Sequence, residues 1–88
     1  MSKTYFPHAG KEVFVDASPP HPPKTQYKVS LGSETWDDGN HLVLKTQMVY
    51  EGQIAGRRSP SFPLGTDDFE RVMEAAQKLI NNRGHAAA

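Results

Sequence analysis

A helical period occurs in one place along this chain. Phe69, Val72, Met73, Ala76, Leu79 and Ile80 recur at i, i+3, i+4, i+7, i+10 and i+11, which puts them on one face of a helix. Thr66 stands just before the stripe as an N-cap, and Asp67 and Asp68 bring negative charge to the positive end of the helix dipole. Glu74 and Lys78 form an i,i+4 pair in the stabilising order, and Asn82, Arg83 and Gly84 supply a stop. An apolar stripe has to be buried, and one helix has no second helix to bury it against. Its partner must be a sheet drawn from the residues before Thr66.

Those residues read as strands. In "TQYKVSL", residues 25–31, Tyr27, Val29 and Leu31 share one face while Lys28 and Ser30 share the other. "GSETWDDGN" follows with turn residues. "HLVLKTQMVYEG" is a long strand, with Leu42, Leu44, Thr46, Met48 and Tyr50 on one face and a mixed set on the other. That contrast belongs to an antiparallel sheet with one buried side. Gly52 or Gly56 marks a bulge or bend, and "QIAGRRSPSFPL" gives a last, irregular strand. Pro60 and Pro63 lack amide donors and place it at an edge. Near the N-terminus, "KEVFVDA" can pair with "KTYF" through a "PHAG" turn. Four prolines in "ASPPHPPK", residues 17–24, make a stiff, extended connector.

The expected fold class is therefore α+β, an antiparallel sheet of about four strands followed by one C-terminal helix. Residues 1–24 form an N-terminal arm with the hairpin and the proline-rich connector. Residues 25–83 form the sheet-plus-helix domain, and residues 84–88 a disordered tail.

With 88 residues the chain holds one domain, and it has no cysteine to staple it. A chain this short buries only about 60–65% of its unfolded surface, so a homodimer is expected. Its interface would draw on the helix stripe, Phe69, Val72, Met73, Ala76, Leu79 and Ile80. The start lacks the apolar segment of a signal peptide, and no apolar run approaches a membrane span. The expectation is a soluble, cytoplasmic protein.

No catalytic constellation stands out. The four histidines have none of the spacings of a zinc site. Asp37-Asp38 lies in a turn and Asp67-Asp68 caps the helix, and each pair has a structural explanation. GxSxG, GxGxxG and P-loop patterns are absent. The expectation is a protein that is not an enzyme and needs no cofactor.

Cations and aromatics remain. Lys28, Lys45, Arg57 and Arg58 fall on the strands or their turns, interleaved with Tyr27, Trp36, Tyr50 and Phe62. Aromatic stacking combined with phosphate pairing is how sheets hold single strands of nucleic acid. Lys plus Arg and Asp plus Glu both total 10, so binding of that kind would be modest.

"GRRSPSFPLGTDDFERVMEAAQKLI" resembles the corresponding run of the positive cofactor four family of single-stranded-DNA-binding transcriptional coactivators. Gly56-Arg57-Arg58 matches the family's basic turn, Phe62 to Leu64 its short strand, Thr66 its cap, and Phe69 its early helical aromatic. The likeness covers residues 26–82. The chain departs from the family in its neutral charge, its few lysines and its prolines near the last strand. The resemblance implies a four-stranded sheet plus helix, a homodimer joined through the helices, and single-stranded DNA or RNA as partner. It assigns nucleic-acid contacts to Arg57 and Arg58, and less directly to Lys28 and Lys45. The competing expectation is a protein-interaction module that uses the sheet edge or the proline-rich arm.

Overall fold

The computed structural model describes residues 4–82. The elements are β1 (Tyr5–Asp16), β2 (Thr25–Trp36), β3 (Gly39–Tyr50), β4 (Gln53–Ala55) and α1 (Asp68–Asn82). The four strands form one antiparallel sheet in the order β1-β2-β3-β4. The α+β class read from the sequence is the class of the molecule. The expected tail, residues 84–88, lies outside the described residues.

β2 and β3 pair along their whole length, from Thr25 opposite Tyr50 to Trp36 opposite Gly39. Alternation gives the sheet two faces. Val13 and Val15 of β1, Tyr27, Val29 and Leu31 of β2, and Met48 of β3 point to the side that α1 covers. Val72, Ala76 and Leu79 of the helix complete this core, with Tyr50, Ala55 and Phe62 packed at its margin.

A helix of 15 residues is about 22 Å long, whereas a strand of 12 residues spans about 40 Å. The helix therefore covers only part of its face. It lies mainly against β1 and β2. On the uncovered part Phe6, Leu42 and Leu44 remain exposed. Leu42 and Leu44, which the alternation grouped with the buried side, share that face but lie outside the helix's reach.

Several expectations are corrected. "KTYF" and "KEVFVDA" do not form a hairpin with each other. They belong to one strand, β1, whose register shifts between Pro7 and Glu12. Gly10 takes up the irregularity with a φ of 74°, so the segment bulges instead of reversing. Gly32 lets β1 approach β2 closely, since a Cβ there would collide with the Phe6 carbonyl. The sheet thus begins at Tyr5 and not at residue 25. The proline-rich connector is not extended. It is the loop joining two neighbouring antiparallel strands, closed by Ala17 N to Thr25 O at 2.9 Å and His21 N to Ser18 O at 3.1 Å. The "GSETWDDGN" turn shrinks to Asp37-Asp38, because β2 runs on to Trp36.

The last strand is only Gln53–Ala55, and Phe62 to Leu64 form no strand. Pro60 and Pro63 remove the amides that would have extended it. Asp67 O accepts the first helical hydrogen bond, from Arg71 N at 3.0 Å. The cap is therefore one residue later than expected. Thr66 Oγ1 donates to Pro63 O at 2.7 Å and accepts weakly from Asp68 N at 3.3 Å.

The helix stripe divides. Val72, Ala76 and Leu79 are buried within the chain's own core, so a second copy has no access to them. Phe69 and Met73 are exposed, and Ile80 is half-buried. Among the described residues, no helix is long and apolar enough to cross a membrane.

Candidate nucleic-acid interface

Each residue singled out for its charge or ring has a definite place. Lys28 lies mid-β2 on the face away from the helix. Its side chain is only 8% exposed, and its Nζ is 3.3 Å from Glu12 Oε2. Lys45 lies on the same open face of β3, where it pairs with Glu34 and sits 5.1 Å from the centre of the Tyr5 ring. Both lysines already have carboxylate partners. Trp36 ends β2, half-exposed, with Nε1 donating to Glu34 Oε1 at 2.7 Å and its ring 4.4 Å from that of His41.

Arg57 and Arg58 occupy a tight turn after β4, closed by Arg58 N to Ala55 O at 3.1 Å. Both are exposed, and neither forms an ion pair among the described residues. The Arg58 guanidinium lies 5.6 Å from the centre of the Tyr50 ring, within range of a cation–π contact.

The turn sits where two clefts meet. One runs along the β3 edge between Lys45–Gln47 and Arg57–Pro60. The other, about 470 Å³, is walled by His21, Pro22, Tyr50, Arg58 and Phe62. The structure therefore brings together Arg57, Arg58, Tyr50 and the flank of Lys45. It leaves Lys28 buried on the open face and puts Trp36 at the far end of the sheet.

His21 is a site neighbour that the sequence did not assign to this place, and Phe62, one of the interleaved aromatics, stands with it. His21 Nε2 is 2.8 Å from Ser61 O, which fixes the β1–β2 loop against the chain leading to the helix. Phe62 stacks on Tyr27, with ring centres 5.0 Å apart. Partners this distant in sequence leave no local signal.

Asp68 organises the floor of this region. It has no solvent exposure. Its carboxylate accepts from Ser18 N at 2.9 Å, Ser18 Oγ at 2.6 Å and Arg71 Nη2 at 2.6 Å, and the Tyr27 hydroxyl stands 2.8 Å away. Burial alone would push the Asp68 carboxyl up. The bonds from Ser18 and Tyr27 and the charge of Arg71 outweigh it and hold the group well below the usual carboxylate range. Burial, with the Asp68 carboxylate beside it, pushes the Tyr27 phenol up. The result is a fixed strut and not a poised acid or base.

No protein-family model, curated protein or solved structure matches this chain.

Proposed function

We propose that this chain is a non-enzymatic, cytoplasmic protein that binds single-stranded nucleic acid with modest affinity through the turn after β4. One observation carries the reading: two arginines without ion-pair partners among the described residues stand side by side at the junction of two clefts, one of them over the Tyr50 ring. Guanidinium groups take phosphate oxygens in bidentate fashion, and an aromatic-walled cleft suits unstacked bases more than a duplex. The strand lysines contribute little, because Glu12 and Glu34 already answer their charge. The likeness to the positive cofactor four family directs the reading toward transcription and toward a homodimer.

Fluorescence polarisation with a labelled single strand and its duplex tests the proposal. Binding at low salt with a dissociation constant on the order of micromolar, weaker for the duplex, is the expected result. No binding at high micromolar protein and low salt overturns it.

A protein-interaction module is the second reading. The stretch of β3 before Met48, which no strand pairs on that side among the described residues, favours it, since such an edge is a template for another strand.

A further inference from the structure

We propose that two copies of this chain pair through their β3 edges, antiparallel about Val43, so that the acidic β2–β3 tip of each copy meets the arginine turn of the other. The pairing does not depend on the nucleic-acid reading.

The two short turns flanking β3 decide which of its backbone groups face outward. Tyr50 and Gln53 flank a two-residue turn, as do Trp36 and Gly39, so each is a hydrogen-bonded pair. Counting back by twos from Tyr50, the amides and carbonyls of Met48, Thr46, Leu44, Leu42 and Asn40 point away from β2. β4 takes up Met48 opposite Ala55. Those of Asn40, Leu42, Leu44 and Thr46 have no backbone partner among the described residues.

The register about Val43 satisfies all of them at once. Asn40 then faces Thr46 of the second copy, and Leu42 faces its Leu44. A shift of one pair sets Asn40 itself opposite Met48, which β4 already pairs, or leaves Thr46 facing the turn; about Val43 the strand pairing ends with Gly39 opposite Gln47, and only the Asp37-Asp38 turn abuts the end of β4. The edge has one lysine, Lys45, and faces residues 56–60 across an open cleft. It has no proline and no bulge, whereas the opposite edge, β1, has Pro7 and an irregularity up to Glu12.

Side chains agree with the backbone. Leu42 is 56% exposed and Leu44 39%, and both lie on the part of the helix-bearing face that the helix does not reach. The pairing sets each against the other's copy. The same register carries the Asp37-Asp38 tip to the end of the second copy's β4, where Gly56, Arg57 and Arg58 turn. The cleft beside Arg57 and Arg58 receives the incoming end of the strand. Asp38 is ionised there, since its bond from His41 keeps its carboxyl below the usual range. A chain with zero net charge thus carries opposite charges at the two ends of one edge, and two-fold antiparallel pairing brings them together twice.

Arg57 and Arg58 then have two anionic partners within reach, phosphate or the second copy's tip, so an oligonucleotide competes with self-association.

Sedimentation velocity of the whole chain, with circular dichroism to check folding, tests the proposal. The expected result is a dimer at micromolar concentration. Arg57→Glu with Arg58→Glu, and separately Asp37→Lys with Asp38→Lys, should each raise the dimer dissociation constant about tenfold or more. An equimolar mixture of the two variants should recover dimers, because each junction then pairs unlike charges. Leu42→Lys, at an exposed site that does not build the fold, should also weaken the dimer. A monomer at about 100 micromolar overturns the proposal. So does a dimer that both charge reversals and Leu42→Lys leave unchanged, which would place the contact elsewhere, as on Phe69 and Met73. Failure to bind the oligonucleotide, with the charge-swap result intact, removes the nucleic-acid reading alone.

Discussion

A carboxylate with no exposure must have its charge answered from inside the protein. Asp68 draws its partners from the β1–β2 loop through Ser18, from β2 through Tyr27, and from its own helix through Arg71. Removing its charge should loosen all three at once. Asp68→Asn is expected to cost about 2–4 kcal/mol in urea unfolding. The pH dependence follows from the sign of the shift. The folded-state pKa lies below the unfolded one, so the stabilisation is full above the ordinary carboxylate range, about pH 4. It is lost as pH falls toward the folded value. Unfolding followed from neutral pH into acid should show a falling limb that Asp68→Asn flattens. An unchanged acid limb would mean that Asp68 is not the group responsible. At the same scale, Lys28 and Lys45 show why their roles were illegible in sequence. Their partners, Glu12 and Glu34, are reached only through cross-strand register.

Among the elements, β2, β3 and the helix were readable because each carries its own period. β1 was not, because its partner β2 lies beyond a proline-rich loop and Gly10 mimics a turn. β4 is too short to hold a pattern. Within α1 the stripe was legible but its division was not. Which half packs depends on where a short helix lies on a long sheet, and the spacing of apolar residues is silent on that. The division is testable. Leu79→Ala, in the core, should cost about 2–5 kcal/mol. Met73→Ala, on the exposed side, should cost less than about 1 kcal/mol. Equal losses in chemical denaturation would contradict the packing described. For the site, the arginine pair was legible as exposed charge beside prolines. Its contact with Tyr50 was not, since that contact depends on the chain turning back after Ala55.

At the scale of the molecule, the extents of 38 × 35 × 21 Å describe a plate. One face is half-covered by the helix. On the other, the lysines of β2 and β3 are matched by carboxylates. Among the described residues, the edge beside β3 is where arginines without ion-pair partners, an aromatic ring and unpaired strand backbone meet. A broad basic face would give strong, salt-steep binding, whereas two arginines at an edge give weak binding with a shallow slope. The most direct measurement is therefore the salt dependence of single-strand binding, by fluorescence polarisation, for the chain and for Arg57→Ala with Arg58→Ala. Each lost phosphate contact lowers the slope of log affinity against log salt by about 0.7. The double variant should be flatter by about 1.4 and weaker for every sequence alike, because phosphate contacts carry no base identity. A slope that stays the same after both arginines are removed would contradict the assignment of this turn as the site.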